Sequence, residues 1–236
     1  MSLISTDSEP AALAGYDDLR PLMSLQTGDE KHDASSTSTL DAIWVLYDKI
    51  LRVSPQTVND PSRDRFLLSK GHGPMAYYAV LAAKGFFPTT WLRRFGTFES
   101  RLGYHPDRNL VPGVEISSGS LGHGLPLGVG TALGLRAQSL DSRVVVLMGD
   151  GELDEGTNAE AIAVAGALEL HRLTVVLVDN HSASLGWSGG IERRFDVEGW
   201  ATRRVDGHDH AALATVLGPT DAASPTLVVA EVEASA

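Results

Sequence analysis

Between Arg143 and Gly190 two short apolar runs bracket one alanine-rich segment, and few arrangements of a chain satisfy that pattern. The first run, Val144 to Met148, stops abruptly at Gly149-Asp150-Gly151. The second, Leu173 to Val178, ends in Asp179-Asn180. Strand, helix and strand of this size read as a right-handed βαβ unit with parallel strands. Both strands then finish at one edge of a sheet, which is where α/β proteins bind ligands. Asp150 and Asn180 sit at the two strand ends. Two oxygen donors facing one cleft, beside glycines that admit close backbone approach, suit Mg²⁺ holding a diphosphate.

The rest of the chain extends this unit. Leu40–Val53 carries apolar residues at helical spacing, with Ser38 or Thr39 as the expected cap. Arg65–Ser69 reads as a short buried strand, followed by Lys70-Gly71-His72-Gly73 and a helix over Met75–Lys84. A short helix is expected around Trp91–Phe95, inside the irregular stretch 88–113 that carries His105; long loops of this kind are often functional. The glycine-rich run 117–134 misses the spacing of a dinucleotide fingerprint. It is expected to be a helix packed close to a neighbour, starting at Ser118–Ser120 with N–H groups aimed at a phosphate. A turn at Asp206-Gly-His-Asp209, read as a cap and connector, leads to a helix over 209–217, and the strand 226–232 follows. Residues 1–39 are polar, and residues 1–24 are expected to form a mobile N-terminal arm before a single domain over 25–236.

Charge and composition exclude several functions. A net charge of −11 argues against a nucleic-acid or anionic-membrane surface. With 0 cysteines there is no disulfide, thiolate metal site or cysteine nucleophile. The first residues lack the basic start and apolar centre of a secretory signal, and no apolar run approaches the ~20 residues of a membrane helix, so the expected location is cytoplasmic.

Several segments together resemble one family. Gly149-Asp-Gly followed by Asn180 is similar to the thiamine-diphosphate motif. Ser69-Lys-Gly-His-Gly, Gly103-Tyr-His-Pro-Asp, Val111-Pro-Gly-Val-Glu and Ser118-Gly-Ser-Leu-Gly-His-Gly follow in the order and spacing of transketolase. The chain resembles the N-terminal, diphosphate-binding half of transketolase over residues 25–232, and most of all the short subunit of the split, two-chain form. The resemblance implies a three-layer α/β/α fold with a mainly parallel sheet, the thiamine-diphosphate-binding fold, and thiamine diphosphate with Mg²⁺ as cofactors. It implies Asp150, Asn180 and the Ser182 carbonyl as metal ligands. Gly149 and Gly151 would lie against the diphosphate, Gly119 and Leu121 against the rings of the cofactor, and His32, His72 and His105 along the sugar channel. Glu155 and Glu160 match acidic residues at the family's subunit interface.

The implied reaction is transfer of a two-carbon ketol unit from a ketose or ketose phosphate to an aldehyde acceptor. The family's activating glutamate lies on a pyrimidine-binding domain that no segment here resembles. The implied partner is therefore a pyrimidine-binding C-terminal subunit, in an α2β2 heterotetramer. Two other readings stand beside it: the α-type subunit of a 2-oxo acid decarboxylating or acyl- or glycolyl-transferring thiamine-diphosphate enzyme, and a non-catalytic partner-binding paralogue. The sequence departs from the family at Ala34-Ser35, where two glycines are usual, at His123 for Gln, and at Leu185 for Asp. It also ends at Ala236, without the family's Lys-Gly-Lys-Gly continuation and the channel histidine beyond it. These departures imply an altered substrate rim around a retained cofactor core.

Overall fold

The computed structural model describes residues 15–26, 37–71, 74–183, 186–219 and 223–232. Its centre is a parallel sheet of strands β1 (Arg65–Leu68), β2 (Val144–Gly149), β3 (Leu173–Asp179), β4 (Ala201–Asp206) and β5 (Thr226–Glu231). The spatial order is β1-β2-β3-β5-β4, and every neighbouring pair is parallel. The expected βαβ unit is β2, helix Gly156–Ala167 and β3, with Val144 opposite Leu173 and Gly149 opposite Val178.

Alternation along the strands builds two cores. Phe66, Leu68, Val145, Leu147, Val176, Val178, Val228 and Ala230 point into one. It is shared with helices α1 (Leu19–Met23), α2 (Leu40–Val45), α3 (Met75–Ala83) and α7 (His210–Leu217). Leu67, Val144, Val146, Met148, Val175, Leu177, Leu227 and Val229 point the other way, onto α4 (Gly124–Ala137), α5 (Gly156–Ala167) and α6 (Gly190–Asp196). The three-layer expectation holds because strands buried on both faces are apolar at successive positions. Helix α3 is buried along its whole length, which matches a sequence apolar on every side.

Four local expectations are corrected. Thr39 occupies the cap position of α2 but makes no side-chain cap bond, and α2 is shorter than the periodicity predicts. It widens into a π turn at Leu46–Ile50, and the Leu51 N–H reaches back to the Leu46 carbonyl at 2.8 Å. The next amide, that of Arg52, donates to the Asp64 carboxylate at 2.9 Å instead of continuing the helix. The glycine-rich helix begins at Gly124, so Ser118–Ser120 belong to a loop. The short helix of the 88–113 stretch is a 3-10 turn over Thr89–Arg94. Finally, within the expected arm Leu19 and Met23 are buried, and just beyond it Gln26 donates to the Met75 carbonyl at 2.9 Å. Its apolar residues, three to four apart, find α3.

The expected cap at Asp209 is present, its carboxylate accepting the Ala211 and Ala212 N–H groups at 2.9 Å each. The turn does more than connect. His208 and His210 both meet the buried Asp41 carboxylate, at 2.9 and 2.6 Å, and Tyr16 donates to it at 2.5 Å. This knot ties the N-terminal helical segment and α2 to α7.

Asp64 anchors the opposite end of the sheet. It is fully buried, and its carboxylate accepts from the backbone N–H groups of Arg52 and Arg143 and from both guanidinium groups. Burial alone would raise its pKa, but these bonds outweigh that and hold it below the ordinary 3.8. The stability this contributes is present above pH ~4 and is lost as pH falls through the lower folded value. Asp64→Ala leaves Arg143 and two amides without their acceptor and is expected to cost about 3 kcal/mol. Denaturant titration of the variant at neutral pH checks this, and an unchanged midpoint would show that the anchor is idle.

Candidate functional site

Four loops converge at the carboxyl edge of the sheet: 69–71 after β1, 118–124 before α4, 149–155 after β2, and 180–183 after β3. Asp150 is buried at the start of a 3-10 turn, Asp150–Asp154. Its carboxylate accepts from the Ser182 N–H and Ser182 hydroxyl at 2.6 Å each, and from the Ala183 N–H at 2.9 Å. The two strand ends singled out in the sequence are therefore joined directly. His181, with φ of 58°, turns the chain back toward Asp150.

Asn180 is the other half of the pair. Its Oδ1 is buried and has no hydrogen-bond donor among the described residues. A buried amide oxygen without a partner is costly and rare unless a ligand supplies one. Asp150, the Asn180 Oδ1 and the Ser182 carbonyl are all oxygen donors, the chemistry that would suit a hard cation such as Mg²⁺. Among the described residues no cluster of three His, Cys, Asp or Glu side chains provides an alternative metal centre.

The loops fit each other through missing side chains. A Cβ on Gly71 would lie 2.7 Å from the Gly119 nitrogen and 2.8 Å from the Ser118 carbonyl carbon, so the first loop lies flat on the second. A Cβ on Gly119 would lie 2.9 Å from the His105 ring, so that imidazole rests against the loop carrying Gly119 and Leu121. The Lys70 stem runs beside Gly149, its Cδ 3.3 Å from where a Cβ on that residue would lie. A Cβ on Gly151 would be in ordinary contact with Ser182, 3.6 Å from its Oγ.

Sequence reasoning passed over two residues here. Glu152 is buried and binds three parts of the site together. The Ser69 hydroxyl donates to its Oε1 at 2.9 Å, and the Gly149 N–H donates to its Oε2 at 3.1 Å. Burial pushes its carboxyl up to about 7 against opposition from these bonds, the Gly122 N–H and the Lys70 charge. The signal was the spacing: a glutamate three residues after the cap position is the reach-back half of a capping box. The second residue is Lys70, half-buried on the floor of the cleft. Desolvation lowers its pKa, while the nearby Asp150 and Glu152 charges raise it.

His105 is exposed. His123 is also exposed, its Nδ1 3.1 Å from the Leu121 carbonyl. Glu155 and Glu160 are exposed on the outer side of the 3-10 turn and α5. His32, His72, Ala34, Ser35 and Leu185 lie outside the described residues. No described helix is long and apolar enough to cross a membrane.

Comparison with known proteins agrees with this geometry. The family model "Transketolase, thiamine diphosphate binding domain" matches residues 21–232. The "Ferredoxin fas2" of Rhodococcoides fascians is 56% identical over 218 residues, covering 92% of this chain and 72% of that protein. One subunit of the apulose-4-phosphate transketolase of Actinobacillus succinogenes is 33% identical over 184 residues, covering 75% of this chain and 67% of that protein. Among solved structures, the transketolase of Leishmania mexicana superposes with a TM-score of 0.76 at 24% identity. That match covers 93% of this chain and 37% of the other.

Proposed function

The chain belongs to the family of the transketolase thiamine-diphosphate-binding domain, and from that premise we propose that it is the diphosphate-binding subunit of a two-chain transketolase. The reaction is transfer of a two-carbon ketol unit from a ketose or ketose phosphate to an aldehyde. The observation that carries the reading is the buried Asn180 Oδ1, without a donor among the described residues, at the strand end next to that of Asp150. Asp150, Asn180 and the Ser182 carbonyl hold Mg²⁺, and Gly151 and the 149–151 backbone face the diphosphate. Thiamine diphosphate, when bound, supplies the nucleophilic carbon and the electron sink for cleaving the C2–C3 bond.

This chain's own residues orient and protect. Gly119 and Leu121 form the wall against the cofactor rings. His105, with His32 and His72, hydrogen-bonds donor hydroxyls and holds or moves protons along the sugar channel. Glu152, out of reach of solvent, fixes Ser69 and Gly149 so that the wall and the metal loop keep their spacing.

The Actinobacillus succinogenes relative is itself named as one subunit of a transketolase, which supports a two-chain arrangement. A pyrimidine-binding partner would add the acidic group that activates the cofactor, and Glu155 and Glu160 are exposed where such a chain could meet them. An α2β2 assembly in the cytoplasm fits this reading. The ferredoxin name of the 56% identical relative does not carry over in the same way. Iron–sulfur clusters are held by cysteine thiolates, and this chain has 0 cysteines.

The test is reconstitution. The purified chain alone should transfer no ketol unit, and addition of a pyrimidine-binding subunit with Mg²⁺ and thiamine diphosphate should produce transfer from a ketose phosphate. Activity of the chain by itself would overturn the two-chain reading. Decarboxylation of a 2-oxo acid by the complex, without ketol transfer, would replace the transketolase assignment with that of a decarboxylating α-type subunit.

A further inference from the structure

Beside the amino end of β1 the chain encloses a second depression, of about 370 Å³, between the turn 58–63 and the segment 108–115. Its size falls among small-molecule sites, which run from ~300 to ~1,000 Å³. Arg63, Arg101, Arg108 and Glu115 line it, a local excess of positive charge in a chain of net charge −11. Two of these four are already engaged. Arg63 donates to both Glu115 oxygens at 2.9 Å and to the Asp60 carbonyl at 2.9 Å. The other two are not. Arginine ion pairs among the described residues involve Arg52, Arg63, Arg94, Arg143, Arg172 and Arg204, and leave out Arg101 and Arg108. Arg101 is nonetheless held in place, its guanidinium carbon 4.8 Å from the centre of the Trp91 ring. Stacking uses the flat face of a guanidinium and leaves its N–H edge open to an acceptor.

We propose that this depression is a binding site for a small phosphate monoester, separate from the cleft at the carboxyl edge. Two guanidinium groups without a carboxylate match a phosphate dianion, whose oxygens take paired N–H donors. Asn59 and Asn109 add side-chain amides for hydroxyls next to the phosphate, and Val58 and Pro112 offer apolar wall to its carbon part. The Arg63–Glu115 pair ties the two sides of the depression together and limits the ordering that binding requires. None of the lining residues belongs to the four loops of the cleft. Arg63 comes just before β1, whereas the cleft loops leave the carboxyl ends of the strands, and the four residues of β1 span roughly 13 Å. The two places nevertheless share a segment. The Arg108 N–H donates to the Ser117 hydroxyl at 3.0 Å, and the Ser118 N–H donates to the Pro106 carbonyl at 3.3 Å. A ligand held by Arg108 thus braces the stretch that continues into the Gly119 wall.

Isothermal titration of the full chain with glycerol 1-phosphate tests the proposal, with a chelator present so that no Mg²⁺-dependent binding in the cleft contributes. The wild-type chain should bind this probe, and glycerol should not compete with it. Replacing both exposed arginines, Arg101→Gln with Arg108→Gln, should weaken binding by about 10-fold or more, the worth of one charge-assisted hydrogen bond at least. Equal affinity in the double variant would place the phosphate elsewhere and overturn the proposal. So would absence of binding by the wild-type chain at about 10 mM, the weak end of measurable affinity. Should the double variant fail to fold, Arg108→Gln alone should weaken binding several-fold while Arg108→Lys, which keeps the charge, retains most of it. Unchanged affinity in Arg108→Gln counts against the proposal.

Discussion

Asp150→Ala should abolish Mg²⁺-dependent binding of thiamine diphosphate by the assembled two-chain enzyme, and ketol transfer with it. The expectation follows from the two tasks of one carboxylate. In the proposed role of metal ligand it would supply the only formal negative charge in a donor set completed by an amide and a carbonyl. As a hydrogen-bond acceptor it holds the Ser182 and Ala183 amides and the Ser182 hydroxyl, and so fixes where the Ser182 carbonyl lies. Removing it therefore displaces a second ligand along with the first. A loss of affinity exceeding about 100-fold, or about 2.8 kcal/mol, is expected. Asp150→Asn separates the tasks, because an amide oxygen still accepts from the loop while the charge is gone. Binding to Asp150→Asn should be measurable at raised Mg²⁺. Unchanged cofactor affinity in the alanine variant would mean that Asp150 is not a ligand.

Gly124→Ala should be the most damaging one-carbon change in the cleft. A Cβ there would lie 2.2 Å from the Ser69 Cβ, 2.4 Å from its Oγ and 2.7 Å from its Cα. Two of these atoms are fixed to the end of β1, so backbone must move. Ser69 is also the link between the Gly124 N–H, at 3.1 Å, and Glu152, at 2.9 Å. Overpacking of this kind costs about 1–3 kcal/mol before the hydrogen-bond chain is counted. At about 2–4 °C per kcal/mol for a chain of this size, a fall in melting temperature near 10 °C is expected. The same helix supplies the control. Gly130 and Gly134 have nothing within 4 Å of the missing Cβ. Alanine at Gly130 should raise stability by about 0.5–1 kcal/mol through helix propensity alone. Paired calorimetric scans decide the matter. If both alanines shift the transition in the same direction, close packing is not the reason for Gly124.

The two kinds of glycine in that helix mark how far the sequence is legible. Its glycines predicted close packing, and Gly124 and Gly128 do lie against Ser69 and Val146. Composition does not distinguish these from Gly130 and Gly134, which face open space, because the difference is one of orientation about the helix axis. The βαβ unit was readable because continuous apolar runs of this length, ended by polar and glycine residues, fit few other structures. Asp150 and Asn180 followed from it, since strand ends in a parallel sheet share one edge. What escaped notice depends on contacts distant in sequence. Nothing local to Lys70 says that its stem lies on Gly149, and nothing local to Asp41 says that His208 and His210 close on it from the far end of the chain. The expected extension of α2 to Val53 failed for the same reason: after Leu51, Asp64 takes the next amide.

The joining of Asp150 to the loop after β3 raises the matter of how the cleft comes into being, and the position of β5 bears on it. This strand is the last of those described, yet it lies inside the sheet, between β3 and β4. Until Thr226–Glu231 is made, β3 has an open edge and β4 has no partner among the described strands. A nascent chain thus exposes two apolar or half-apolar edges until then, the situation in which strands pair with wrong neighbours. The insertion also sets the order of events. The loop that carries Asn180 and Ser182 leaves β3 at Asp179, whose partner across the ladder is Glu231. β3 is paired on both edges only once β5 is in place, so the strand that carries this loop is fully held after the other described strands have been made.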